Sequence, residues 1–383
     1  MTSEEGSFAR KTITKRLPII TDQLIKSSNY PHEIQQELLA LKRELTHGQV
    51  QPLQEETYDR ALWLNDLKPW LGKRWSELPW FLAETYFYRR ILEITHYFQP
   101  GPYQGKDPFS NLKTQDMLQG RTVFESLYPS LTNLESQAGF HEFCIKALWG
   151  NRGDLSLMKT LEPSMDTQNH RIVLDGTNDA YRYLAKNQPG RIVYIFDNVG
   201  KELFFDLALI DFLLSSGLAG QVTCFVKNQP FFVSDAMAKD LIATLNSMAE
   251  SNISEVRYLA DRLNNCINAK TLQIEAPPFL TFGRMFRQMP SALSEQVRAH
   301  DLAILKGDVN YRRVMGDRHW PPTTPIEVAG GYFPTSFLSL RTLKAELIVG
   351  MTDEKLDQIK QEGDPDWMIN GKRGLITFFE NVI

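Results

Sequence analysis

Apolar residues in the first 165 positions recur at helical spacing. In "PHEIQQELLALKREL", Ile34, Leu38, Leu41 and Leu45 fall on one face, and Pro31 stands where a first helical turn tolerates it. "LPWFLAETYFYRRILEITHYF" starts from Ser76 and Pro79 and carries aromatic residues around most of its circumference, which predicts a well-buried helix. Glu84 and Tyr88 lie one turn apart on it, beside Arg89, so part of this polar set is expected to be buried. "FHEFCIKALWGN" predicts a shorter helix. Residues 1–165 therefore read as a helical subdomain, or cap. Asn151 and Asp154 of "LWGNRGDLSL" fit either the cleft where the two halves meet or, with Glu84, Tyr88 and Arg89, hydrogen bonds between helices that only hold the cap together.

After residue 165 the period changes. "RIVYIF", "QVTCFV", "TLQIEA", "LAILKG" and "AELIVG" are short runs rich in β-branched and aromatic residues. Helical patterns such as "GKELFFDLALIDFLLS" and "AMAKDLIATLNSMAES" separate several of them. Nearly all-apolar strands alternating with helices indicate a sheet covered on both faces, a three-layer α/β/α domain over 166–383. Ligands of such sheets sit outside the carboxyl ends of the strands.

Composition narrows the partners. The 42 Lys and Arg residues against 46 Asp and Glu give a net charge of -4 and no footprint for nucleic acid. An anionic ligand must be met by a few placed cations. Three widely spaced cysteines, Cys144, Cys224 and Cys266, fit neither a disulfide framework nor a structural zinc site. No stretch of eighteen uninterrupted apolar residues occurs, and the N-terminal residues show no apolar signal region, so a cytoplasmic protein is expected.

The strand ends carry the candidate chemistry. "RIVYIF" runs into Asp197-Asn198, then Gly200, which permits a tight turn into a helix. "QVTCFV" leads on to Asp235, just before the next helix. Consecutive parallel strands place Asp235 beside Asp197, and two carboxylates and an amide suit a hard cation such as Mg²⁺ or Mn²⁺. The competing reading makes Asp197, Asn198 and Asp235 helix N-caps. "LAILKGDVNYRR" ends in Lys306, Asp308, Asn310, Tyr311, Arg312 and Arg313, a density that fits an anion site with a nearby proton carrier. "SLRTLKAELIVG" places Arg341 and Lys344 ahead of an apolar run and also reads as a surface loop. A GxGxxG nucleotide fold is excluded because "DNVGKE" holds one glycine. Val199 excludes a DxD phosphatase.

"FDNVGKE" with Asp235 downstream, "KGDVNYRR" and "RTLK" together resemble the DUF89 family of metal-dependent damage-control phosphatases, in the branch of acidic residue methyltransferase 1 that the RTxK signature marks. "PWFLAETYFYRRI" and "LWGNRGDLSL" are similar to that branch's helical half, and the likeness spans roughly residues 12 to 383. It implies that Asp197, Asn198 and Asp235 hold a divalent metal (Mn, Co, Ni or Mg). It also implies substrate contacts from Asp197, Asn198, Glu202, Asp308, Asn310, Tyr311, Arg312 and Lys344. The implied activity is hydrolysis of phosphate esters, sugar phosphates such as fructose 1-phosphate and fructose 6-phosphate among them. The partner is thus a small-molecule phosphate ester, with neither nucleic acid nor membrane expected.

The expected mechanism is metal-assisted phosphoryl transfer to water, with Lys344 and Arg312 clamping phosphate oxygens and Asp308 orienting or deprotonating the water. Direct attack by Asp197 is the alternative. The rival functions are an S-adenosylmethionine-dependent protein-glutamate methyltransferase, against which the missing glycine loop weighs, and a non-catalytic sugar-phosphate sensor. One topological expectation follows. If Lys344 shares the phosphate with Asp197, and precedes its strand, "AELIVG" must run antiparallel to "RIVYIF", making the sheet mixed and mainly parallel.

Overall fold

The computed structural model describes residues 7–150 and 171–382. Asn151 and Asp154 lie outside the described residues. The chain divides into two compact units: 1–113 with 227–234 and 278–284, and 114–226 with 235–277 and 285–383.

The first unit is helical. His32–His47 buries Ile34, Leu38, Leu41 and Leu45, the stripe that the spacing predicts. Trp80–Ile94 is buried on nearly every side, Glu84, Tyr88 and Arg89 included. A charge is tolerated there only with partners. Arg89 meets Asp59 at 2.6 Å and Glu55 at 2.7 Å, and Glu84 accepts from Arg16 at 2.8 Å. These bonds tie the helices of this unit together.

The second unit is built on a seven-stranded sheet of order β1-β7-β6-β5-β2-β3-β4. The strands are β1 (Ile172–Asp175), β2 (Gly190–Ile195), β3 (Ala219–Phe225), β4 (Leu272–Glu275), β5 (Leu302–Lys306), β6 (Ser336–Thr342) and β7 (Gly374–Phe379). β2 to β6 are mutually parallel, β7 is antiparallel to β6, and β1 is parallel to β7. β5 and β6 are buried along their whole length, as strands covered on both faces must be. From β2 the chain moves outward to β3 and β4. It then returns to β5 and moves the other way to β6. Right-handed crossovers that depart in opposite directions pass on opposite faces, so helices Lys201–Ser215 and Gly307–Met315 cover different sides of the sheet. The main apolar cluster joins Leu203, Phe204, Leu207 and Ile210 to Phe124, Phe140, Cys144 and Leu148. Residues 114–127 and helix Ser136–Trp149 thus belong to the sheet unit, and the division does not fall at residue 165.

The mixed sheet is present, but its reversed strands are β7 and β1. "AELIVG" is not a strand. Its apolar residues are buried, yet its backbone bonds form no ladder: Arg341 donates to the carbonyls of Ala345 and Leu347, the Val349 N–H donates to the Tyr311 hydroxyl at 3.2 Å, and the Gly350 N–H donates to the Thr324 carbonyl. The strand is "SFLSLRT", immediately upstream. Lys344 therefore follows β6, at the same sheet edge as Asp197, without any reversal.

Candidate active site

The strand order reverses between β2 and β5, and the crevice outside their carboxyl ends is where such sheets bind ligands. Asp197-Asn198 leaves β2 there. The Ala236 N–H donates to the Asp197 carbonyl at 2.8 Å, and Asn198 pairs with Asp235 in an isolated antiparallel bridge. Both carboxylates are buried, Asp197 5% and Asp235 1% exposed. Neither caps a helix. Gly200, at φ +73°, caps Lys201–Ser215, and Met237 caps Ala238–Ala249. The geometry thus removes the capping explanation for all three residues.

Gly307 shapes the other side. It follows β5 at φ +78°, and a Cβ there would fall 1.8 Å from Asp197 Oδ2. Only glycine lets the β5 turn approach the Asp197 carboxylate this closely. Among the described residues no three His, Cys, Asp or Glu side chains converge on one point. The donors here are two acids and an amide. That all-oxygen set, with the space Gly307 leaves, fits a hard divalent cation.

Asn198 Nδ2 donates to Asp197 Oδ2 at 2.7 Å and to Glu202 Oε2 at 3.1 Å. Glu202, in the first turn of its helix, accepts from Lys306 Nζ at 3.1 Å through its other oxygen. Lys306 also meets Asp206 at 3.0 Å and the Ala147 carbonyl at 2.6 Å. Burial alone would lower the Lys306 ammonium, but Asp206 and Glu202 raise it above its ordinary value. Burial pushes Asp206 up to about 7 against the pull of Lys306.

Asp308 accepts from Arg312 at 2.5 Å and from Arg341 at 2.7 Å. Burial would raise its carboxyl, yet the two guanidinium groups outweigh that and hold it well below the usual carboxylate range. A carboxylate so held is a poor proton acceptor near neutral pH, which favours the orienting role over the deprotonating one for Asp308. The Asn310 amide donates to the carbonyls of Ile195, Phe196 and Lys306, stitching the ends of β2 and β5 together. Tyr311 is buried beneath the Arg341 guanidinium, 4.4 Å from its ring centre. Arg312 is buried between Asp308 and Asp317. Lys344 is exposed.

Sequence reasoning missed three contributors. Gly307 stood inside a motif already noticed. Asp206 was visible as a lone acid in "LFFDLALI", an otherwise apolar stretch. Asp116 carried no sequence signal. Its carboxylate lies against Gly200, where a Cβ would sit 2.3 Å from Oδ2. Burial raises its pKa, opposed by Lys201.

Fold and site together define an α/β enzyme with a hard-oxygen centre at its switch point. Comparison with known proteins gives the family. Residues 12–359 match the model of the damage-control phosphatase ARMT1-like domain. Damage-control phosphatase ARMT1 of Danio rerio is 30% identical, over 98% of this chain and 95% of that protein. Its Mus musculus namesake is 29% identical, over 98% and 97%. The crystal structure of a DUF89 family protein from Pyrococcus horikoshii has the same fold, with a TM-score of 0.52 at 13% identity over 97% of this chain and 98% of that one. The chain belongs to the damage-control phosphatase ARMT1-like family and is a phosphatase of that generally metal-dependent group.

Proposed function

We propose that the chain hydrolyses small phosphate monoesters, sugar phosphates such as fructose 1-phosphate and fructose 6-phosphate foremost, with a divalent cation (Mn, Co, Ni or Mg) held by Asp197, Asn198 and Asp235. The observation that carries this reading is the bridging of the Asp197-Asn198 turn to Asp235, which gathers two buried carboxylates and an amide beside Gly307. A divalent cation there would supply Lewis acidity to the phosphoryl group and to water.

The protein's own residues do the rest. Lys344, exposed just past the carboxyl end of β6, brings positive charge to the ester's phosphoryl group. Asp308 orients by anchoring Arg312 and Arg341. Asn310 and Tyr311 have buried side chains, so their run offers an anion the N-terminal amides of its helix, with Arg312 behind them. Three unpaired thiols suit a reducing, cytoplasmic setting.

The test is phosphate release across a panel of sugar phosphates with each divalent metal in turn. Asp197→Ala and Asp235→Ala should each abolish release while the protein stays folded by circular dichroism. Near-normal activity of either variant at saturating Mn²⁺ would overturn the metal assignment.

A further inference from the structure

Beneath the proposed cation site lies a chain of buried bonds that the reaction does not obviously need. Lys306, the last residue of β5, has a side chain 1% exposed. An ammonium has three N–H donors, and Lys306 has three acceptors in reach: Ala147 O, Glu202 Oε1 and Asp206 Oδ1. Asp206 is fixed in turn by the Tyr194 hydroxyl, which donates to it at 2.8 Å. Lys306 is thereby immobile, and so is the Glu202 carboxylate it holds.

That carboxylate does one visible thing. Its Oε2 accepts from Asn198 Nδ2, whose second N–H goes to Asp197 Oδ2. An asparagine amide can turn over at little cost, exchanging its oxygen for its nitrogen. Turned one way it offers a cation an oxygen, and turned the other way it offers two N–H dipoles that repel the cation. With Nδ2 donating to both Asp197 Oδ2 and Glu202 Oε2, both amide hydrogens are committed within the protein, and the amide oxygen is the atom that can meet a cation. Glu202 is 3% exposed and both its oxygens accept bonds within the protein, which is a poor arrangement for touching substrate.

We propose that Glu202 and Lys306 are positioning residues that fix the Asn198 amide so that it presents oxygen, not nitrogen, to the cation. The inference rests on the metal site proposed above. It replaces the substrate contact that family resemblance implies for Glu202.

The experiment is calorimetric titration of the full chain with Mn²⁺ alone, without substrate. Glu202→Gln should weaken Mn²⁺ binding about 10- to 100-fold, the usual cost of losing an outer-shell partner. Asn198→Asp removes the need for orientation, because its two oxygens are equivalent. In that background Glu202→Gln should weaken binding far less than in the wild type, because only the loss of one nearby negative charge remains and no amide can turn. This attenuation is the signature of orientation. Equal weakening in both backgrounds would overturn the inference. So would an unchanged Mn²⁺ affinity in Glu202→Gln with KM alone raised, which would restore the substrate contact. Should Glu202→Gln fail to fold, Glu202→Asp makes the same contrast, keeping the charge but withdrawing it from Nδ2. Absence of Mn²⁺ binding by the wild type, or binding untouched by Asp235→Ala, would instead remove the parent reading and this one with it.

Discussion

Replacing Gly307 with alanine inserts one methyl group into the closest approach in the site. The new Cβ would lie 1.8 Å from Oδ2, 2.2 Å from Cγ and 2.8 Å from Cβ of Asp197. Unstrained contacts of this kind are about 3.5 Å. Every side-chain atom within reach is too close, so a small torsional adjustment does not suffice and the Asp197 carboxylate must leave its position. Two costs add. Alanine at a positive φ costs about 1–2 kcal/mol, and overpacking a filled interior about 1–3 kcal/mol. Gly316 provides the control. It ends the same helix at the same φ of +78°, but its nearest neighbour is Arg318 Nε at 3.8 Å. Gly316→Ala therefore carries the backbone strain without the clash. We expect Gly307→Ala to melt at a lower temperature than Gly316→Ala in a thermal scan. We also expect it to bind Mn²⁺ more weakly by well over about 100-fold, since it displaces a ligand and not merely an outer-shell partner. If the two variants bind Mn²⁺ equally and release phosphate equally, Asp197 is not confined by Gly307, and the cation site has been drawn in the wrong place.

Other consequences are as direct. Lys344→Ala should raise KM and lower kcat together while leaving the melting temperature unchanged, and a silent variant would return the "RTLK" loop to a surface role. Asp308 has a folded pKa below its ordinary 3.8, so its contribution is present above that value and fades as pH falls through the folded pKa. Asp308→Asn should therefore cost about 3 kcal/mol at neutral pH, as breaking a buried ion pair does, with the gap to wild type narrowing in acid. A gap in denaturant unfolding that does not narrow on acidification would refute the assignment. In the helical unit, Arg89→Met strands Asp59 and Glu55 without their cation and should cost about 3–5 kcal/mol. A loss below about 1 kcal/mol would show that the pair is solvated.

What could be read in the sequence was whatever shows in periodicity and in polar breaks at the ends of apolar runs. β2 and β5, and the second half of β3, were visible because their residues are apolar on both faces, β4 because its apolar residues alternate with polar ones, and Asp197, Asn198 and Asp235 because they interrupt apolar runs. β6 was hidden for the opposite reason. Ser336, Ser339, Arg341 and Thr342 are buried polar residues within a strand, and a buried arginine looks in sequence like an exposed one. "AELIVG" misled because burial and strand pairing are separate properties: the segment has the first, while side chains of Arg341 and Tyr311 take several of its backbone bonds and no strand pairs with it. The roles of Asn310 and Tyr311 were equally invisible. Their polarity suggests a ligand, and only the fold shows their partners to be strand-end carbonyls, an N–H and a guanidinium.

The local charge explains why such a site would work only with a cation present. Four cations, Lys306, Arg312, Arg313 and Arg341, are buried at the carboxyl ends of β5 and β6 and on the helix that follows β5. Each faces carboxylates: Glu202 and Asp206 for Lys306, Asp308 and Asp317 for Arg312, Asp235 for Arg313, and Asp308 for Arg341. With Asp197, six carboxylates stand against four cations, an excess of two negative charges. Lys201 and Asp116 cancel. A phosphate monoester arriving as a dianion thus meets a negative pocket on a protein whose net charge of -4 offers no long-range attraction either. The arginines do not reverse this, because their charge is already matched within the protein. A divalent cation would bring the pocket to neutrality, and Lys344, exposed at the rim of β6, would then tip it positive. Asp197 and Asp235, part of the charge that would repel an ester, are the carboxylates proposed to hold the ion, so binding of the ester would be conditional on binding of the metal.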